Sequence, residues 1–312
     1  MKYAFLFPGQ GSQRVDMGSE LAANFAAARA AYEEADDALG FALSRLCFEG
    51  PEESLRLTAN TQPAILATSI AALRALQTEC GTEAEVAAGH SLGEYSALVA
   101  AGALEFADAL RAVRERGRLM QEACPAGQGS MAALIGLEPK VVDEICAEAS
   151  SGGQFAVPAN LNAPGQIVIA GHTEAVRRAI EIAKQRGSKM SVELNVSAAF
   201  HCALMQPARD GMRPVLEKLA MRPLRFGVIA NVTGAVNRDH RRVVPLLLDQ
   251  ITAPVRWEES MVSLGALGVD AAIEIGCGRV LSGLMRRINK NLKVHPLEDI
   301  ASLKALQAVA GG

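Results

Sequence analysis

The spacing of apolar and polar residues changes several times along the 312-residue chain. Residues 3–7 form a short apolar run closed by Pro8-Gly9. This predicts a buried strand followed by a loop. Residues 17–39 are alanine-rich with apolar side chains at helical spacing, and 62–80 repeat that spacing with Pro63 near the predicted start. A strand is predicted at 86–89, a helix at 94–101 and a charged amphipathic helix at 105–123, ended by Pro125. The pattern then changes character: a strand at 130–137, a helix at 139–149, strands at 155–161 and 166–170, a helix at 173–186 and a strand at 190–196. Asn162-Ala163-Pro164-Gly165 is the turn between the paired strands, Thr173 the expected N-cap and Gly187 the helix stop.

The order β-α-β-β-α-β is the ferredoxin-like, or split βαβ, unit. Residues 127–197 are therefore expected to be an inserted small subdomain, with 1–126 and 198–312 forming one large α/β domain. In the large part, strands are expected at 226–232 and 269–275. The second is followed by Gly276, Gly278 and a helix from Val280. Strand–glycine–helix order predicts a mainly parallel, doubly wound sheet.

Composition narrows the function classes. Half the residues are hydrophobic and 21% are charged, enough apolar surface for a sizeable core. A net charge of −3 gives no basic field for nucleic acid. No apolar stretch approaches the roughly 18 residues a membrane span needs, and the first residues are too short for a secretory h-region. Cysteines at 47, 80, 124, 146, 202 and 277 show no C-x-x-C spacing. Zinc-ribbon and thioredoxin-like chemistry is unsupported, and reduced thiols in a cytoplasm are expected. Gly9-x-Gly11 lacks a following Gly-Lys-Ser/Thr, so nucleotide hydrolysis is rejected.

Gly89-x-Ser91-x-Gly93 lies between a predicted strand and a predicted helix, the context of a nucleophile elbow. Bulky residues two before or two after the serine would clash in so tight a turn. The N–H of Leu92 would face the oxygen of a bound acyl group at a helix N-terminus. A serine hydroxyl needs a base, and the five histidines are 90, 172, 201, 240 and 295. His90 adjoins the serine, but elbow neighbours point different ways. His172 lies in the inserted unit, His240 among Arg238, Asp239, Arg241 and Arg242, and His295 near the end. His201 stands where the large domain resumes. Position alone does not choose among them.

Several segments, taken in order, resemble the malonyl-CoA:acyl carrier protein transacylases of type II fatty acid synthesis and the related acyltransferase domains of polyketide and animal fatty acid synthases. They are Phe7-Pro8-Gly9-Gln10-Gly11-Ser12-Gln13, Thr61-Gln62-Pro63-Ala64-Ile65, the elbow through Leu98, Arg116-Gly117, Asn162 to Gln166, Ala199-Phe200-His201, Asn231-Val232 and Gln250 to Trp257. The resemblance spans essentially the whole chain. It implies a hydrolase-like α/β core with a ferredoxin-like insertion, and Ser91 as nucleophile with His201 as base. The main-chain carbonyl of Gln250 would hold the second ring nitrogen, and the N–H groups of Gln10 and Leu92 would form the oxyanion hole. Arg116 would pair with the free carboxylate of malonyl. Phe200, Asn162 and Asn231 are further expected substrate contacts.

The resemblance also implies malonyl-CoA as substrate and acyl carrier protein as partner; no bound cofactor or metal, no nucleic-acid or membrane partner and a monomer are expected. Phe200 beside the histidine would crowd an α-methyl group, so malonyl is expected over methylmalonyl. The chain departs from the commonest family form at Ala198, Ala199 and Cys202, where proline or glycine and serine are frequent; a slight shift of the His201 loop would follow. Arg286, Arg287, Lys290 and Lys293 are read as a solvated basic run on the last helix rather than a docking face for an acidic carrier. Two rivals share these residues: a serine hydrolase, in which water resolves the acyl-enzyme, and an inactive scaffold that only binds the carrier. The polyketide pathway is the alternative to fatty acid synthesis.

Overall fold

The structure, a computed structural model, describes residues 1–125, 127–196 and 198–310. Among the described residues, ten strands form two sheets. β1 (Tyr3–Phe7), β2 (Ala84–Gly89), β7 (Gly227–Ala230), β8 (Ala235–Asn237), β9 (Ala271–Ile275) and β10 (Lys293–Leu297) make the larger one, ordered β10-β9-β1-β2-β7-β8. All its pairs are parallel except β7 with β8. β1 and β9 are buried at every position, as central parallel strands covered on both faces must be. The carboxyl ends of β1, β2, β7 and β9 share one edge. Their loops, Pro8–Ser12, His90–Leu92, Asn231 and Gly276–Gly278, emerge together there.

β3 (Gly129–Ile135), β4 (Ala156–Ala163), β5 (Gln166–His172) and β6 (Met190–Glu193) form the smaller, antiparallel sheet in the order β4-β5-β3-β6. With helices Pro139–Ala149 and Thr173–Gln185 this is the ferredoxin-like unit. Strand alternation gives it two apolar faces. Ala132, Leu134, Ile167 and Ile169 pack on the two helices with Val142, Ile145, Val176 and Ile180. Met131, Val168 and Ala170 point the other way, into the core of the large sheet. The fold is thus an α/β core with a mainly parallel sheet plus an inserted ferredoxin-like unit. The expected borders of that unit fall at Ala126 and Ser197, outside the described residues.

Several expectations are corrected. The helix expected at 62–80 begins at Thr58, with Pro63 inside it. The segment 17–39 is two helices, Ser19–Asn24 and Ala26–Leu39. Thr173 is the first helical residue rather than the cap, and its hydroxyl donates to the Gly127 carbonyl. The basic run does not lie on the last helix: Arg286 and Arg287 sit on Val280–Ile288, Lys293 opens β10, and the last helix is Ile300–Ala310. Among the described residues no helix is long and apolar enough to cross a membrane.

Candidate active site

The elbow is shaped by steric necessity. A Cβ on Gly89 would sit 1.9 Å from the Gly93 carbonyl, and one on Gly93 would sit 2.1 Å from the Phe7 carbonyl. Any side chain there would drive β1, β2 and the helix Gly93–Ala100 apart. Ser91 takes a left-handed conformation, φ +50°, and His201 does the same at +58°. Such backbone costs of order 1–3 kcal/mol per residue and persists where the surroundings enforce it.

The Ser91 peptide is held on both sides. Asn231 Oδ1 accepts the Ser91 N–H at 2.7 Å and its Nδ2 donates to the Gly89 carbonyl at 2.7 Å. Gln250 Nε2 donates to the Ser91 carbonyl at 3.0 Å. Asn231, expected to touch substrate, is therefore corrected: it is fully buried and clamps the elbow.

His201 Nε2 lies 2.8 Å from Ser91 Oγ, and His201 Nδ1 lies 2.8 Å from the Gln250 main-chain carbonyl. A carbonyl only accepts, so Nδ1 carries the ring proton and Nε2 is free to take the serine proton. Burial, reinforced by the Arg116 charge and opposed by the Gln250 carbonyl, pushes His201 down to about 3. The ring is neutral at physiological pH. The packed residues Ala198, Ala199 and Cys202 leave His201 within reach of Ser91. His90 is committed elsewhere: its Nε2 meets Asn162 Oδ1 at 2.8 Å, and its ring lies 5.4 Å from that of Trp257.

Arg116 reaches Ser91 because Gly117 lets its helix, Phe106–Ala123, close on the helix Thr58–Cys80. A Cβ at 117 would meet the Thr58 carbonyl at 2.5 Å. Arg116 is 1% exposed. Its Nη1 donates to Gln62 Oε1 at 2.8 Å, and its Nη2 donates to Gln250 Oε1 at 2.8 Å and to Ser91 Oγ at 3.2 Å. Its Nε has no acceptor, and no carboxylate forms an ion pair with it among the described residues. A buried guanidinium held by two neutral amides and a hydroxyl is prepared for an anion.

Ser91, His201, His90, Gln62 and Arg116 line a cavity of about 130 Å³ together with Gln10, Leu92, Phe200, Met131, Asn160, Leu194 and Val196. The backbone N–H groups of Gln10 and Leu92 have no acceptor among the described residues, which leaves them open to an oxyanion. A second cavity of about 230 Å³ adjoins the first. It shares Gln10, His90, Asn160 and Leu194 with it and adds Asn162, Gln166, Val280 and Leu281. Asn162 thus borders the neighbouring space, not the serine.

Two further residues join this hydrogen-bonded cluster. Gln62, in the quoted Thr-Gln-Pro segment, is the polar partner of Arg116. Glu94 is buried beneath the elbow and is pushed up to about 7 by burial, against the donors around it. Its signal was available: it is the sole charged residue of the helix Gly93–Ala100.

The family model for the acyl transferase domain matches residues 4–306. The malonyl CoA-acyl carrier protein transacylase of Bacillus subtilis is 47% identical over 96% of this chain and 94% of its own length. That of Salmonella typhimurium is 44% identical over 97% and 98%. The crystal structure of an acyl-carrier-protein-S-malonyltransferase from Bartonella henselae superposes with a TM-score of 0.96 at 46% identity, covering all of both chains. A malonyl-transacylase solved in complex with a type II polyketide acyl carrier protein superposes with a TM-score of 0.96 at 43% identity, over 99% of this chain and 100% of its own. The chain belongs to the malonyl CoA-acyl carrier protein transacylases of the acyl transferase family.

Proposed function

We propose that this protein moves a malonyl group from coenzyme A to the phosphopantetheine thiol of acyl carrier protein through a malonyl ester on Ser91, in the service of fatty acid synthesis. The observation that carries this reading is Arg116, a buried cation with no carboxylate ion pair among the described residues, 3.2 Å from the Ser91 hydroxyl oxygen. The malonyl carboxylate lies one methylene beyond the reacting carbonyl, so it falls within reach of that guanidinium. Burying it unpaired would cost several kcal/mol or more.

Ser91 Oγ attacks the thioester carbonyl while His201 Nε2 takes its proton. The imidazolium so formed is held through Nδ1–H by the Gln250 carbonyl. The N–H groups of Gln10 and Leu92 receive the oxyanion. The C–S bond breaks, and His201 returns the proton to the departing thiol of coenzyme A. In the second half the carrier's thiol gives its proton to His201 and attacks the ester carbonyl; the C–O bond to Ser91 breaks, and His201 returns the proton to the Ser91 oxygen. No metal or redox step enters this exchange of one acyl bond for another. The adjoining cavity beside Asn162 and Gln166 suits the pantetheine arm. The reading includes residues 127–197 as a separate small unit and a cytoplasmic setting, supported by six unpaired cysteines. Phe200, at the cavity wall, favours malonyl over its α-methyl analogue.

Intact-protein mass spectrometry tests the reading. Wild type should gain one malonyl group from malonyl-CoA, keep it without thiol, and pass it to a holo carrier protein. Ser91→Ala should gain none. A labelled Ser91→Ala would sink the assignment, and rapid loss of the label to water would favour a hydrolase.

A further inference from the structure

Acyl transfer by this route uses no carboxylate of the protein, yet one lies buried beneath the nucleophile. Glu94 is 3% exposed. Its Oε2 accepts the backbone N–H of Asn231 at 3.1 Å and the Nε2 of Gln250 at 2.7 Å. These are the two residues that hold the Ser91 peptide from either side. Gln250 also turns its Oε1 to Arg116 and its main-chain carbonyl to His201. A single carboxylate oxygen therefore anchors the groups that place the nucleophile, the base and the guanidinium.

Chemistry fixes the Gln250 amide in this orientation. A guanidinium only donates, so it requires the amide oxygen, and Oε2 of Glu94 accepts, so it requires the amide NH₂. Without Glu94, Asn231 N–H loses its acceptor in a dry site, and Gln250 Nε2 keeps only the Ser91 carbonyl. The amide can then tilt or turn, and its oxygen no longer steadies Arg116. Proton uptake by Glu94 at Oε1 leaves Oε2 free to accept both bonds, so the anchor does not depend on ionisation.

We propose that Glu94 is a positioning residue of this transferase: through Gln250 and Asn231 it sets the direction of Arg116, and with it the preference for an acyl group that carries a carboxylate. This rests on the malonyl reading of Arg116 given above.

The experiment compares wild type, Glu94→Ala, Glu94→Gln and Gln250→Met. Acyl-serine formation from malonyl-CoA and from acetyl-CoA is followed by mass under single turnover, with thermal unfolding in parallel. Glu94→Ala is expected to lower the malonyl-to-acetyl ratio of kcat/KM by on the order of 10- to 100-fold, the worth of a lost charged hydrogen bond. Glu94→Gln keeps an acceptor and should restore the ratio to within about threefold of wild type. Gln250→Met keeps the main-chain carbonyl for His201 and should reproduce the Glu94→Ala shift. Combined with Glu94→Ala it should add less than about threefold, since both act through one link. An unchanged ratio in Glu94→Ala, or additive losses in the double variant, overturns the proposal. If Glu94→Ala does not fold, Gln250→Met decides, and an unchanged ratio there overturns it equally. Failure of wild type to form a malonyl-serine is seen before any variant and strikes the transferase reading itself.

Discussion

The two walls of the catalytic cavity are built on opposite principles. The wall from the parallel sheet and its helices is a closed polar network. Ser91, His201, Gln250, Glu94, Arg116, Gln62 and Asn231 are joined by hydrogen bonds of 2.7–3.2 Å. The wall from the antiparallel sheet is mostly apolar: Met131, Leu194 and Val196, with Asn160 as its amide. The two touch through few directional links, among them the bridge of Asn160 with Val255 and the bond of His90 with Asn162. A network whose members fix one another holds geometry to tenths of an ångström but cannot yield without losing several bonds at once. An apolar wall excludes water and tolerates changes of shape. The comparison therefore predicts large, group-specific losses from the first wall and small, graded ones from the second.

The largest break is expected at His201. His201→Ala should slow malonyl transfer by a factor on the order of 10² to 10⁴, the usual worth of a general base. The pH profile sharpens the point. Because the folded value of His201 is lowered to about 3, the proton that disables it is taken up only far below the ordinary 6.5 of a histidine. The neutral base is present throughout the physiological range, and the acylation rate of wild type should show no histidine-like acid limb near 6.5. Stopped acylation at pH 5 to 8 measures this, and loss of most of the rate between pH 7 and 6 would contradict it.

Arg116→Ala comes next. The malonyl carboxylate loses its partner, and kcat/KM for malonyl-CoA should fall by on the order of tenfold to a hundredfold or more. Acetyl-CoA should be used equally well or better, for an electrostatic reason: Arg116 is the second cause of the lowering of His201, so its removal returns basicity to the ring. Competition between labelled acyl-CoAs reads both arms. Equal loss of malonyl and acetyl transfer would make the arginine structural.

Much of the polar wall was legible in the sequence, and the reason is steric. Gly89 and Gly93 are the residues that fit an elbow this tight, so the turn that presents Ser91 stands out in the sequence. Arg116 and His201 were found by resemblance, because neither the charged face of a helix nor one histidine among five distinguishes itself by spacing. Direction was not legible. Asn231 was expected at the substrate, yet it is turned inward onto the elbow, and the Gln250 side chain does as much as its carbonyl. Glu94 stands out in the sequence as the sole charge of its helix, but a carboxylate in a first helical turn also suits the helix dipole, and its burial is not legible there. In the fold, β10 escaped notice because Lys293 and Pro296 interrupt a five-residue strand. As an edge strand, β10 accommodates a proline that a central strand would not. The start of the helix at Thr58 was obscured by Pro63, which suggested a first turn where the structure has a second.

The smallest effect is expected on the apolar wall, at Leu194. This side chain is partly buried and borders both the catalytic cavity and the adjoining one. Its backbone N–H donates to the Met131 carbonyl, a bond that a change of side chain leaves in place. Leu194→Ala removes apolar contact for the bound thioester without touching any donor or acceptor of the first wall. Loss of part of a leucine's burial is worth about 1 kcal/mol, so KM for malonyl-CoA should rise by roughly two- to fivefold. The chemical step should be little changed, since the network that holds Ser91, His201 and Arg116 is intact. The malonyl-to-acetyl ratio should also stay, because the wall meets both acyl-CoAs with the same hydrocarbon. Steady-state kinetics with both substrates separates these quantities. A drop in kcat comparable to that of His201→Ala, or a selective loss of malonyl, would show that the second sheet shares in holding the catalytic groups and that the two walls are one structure.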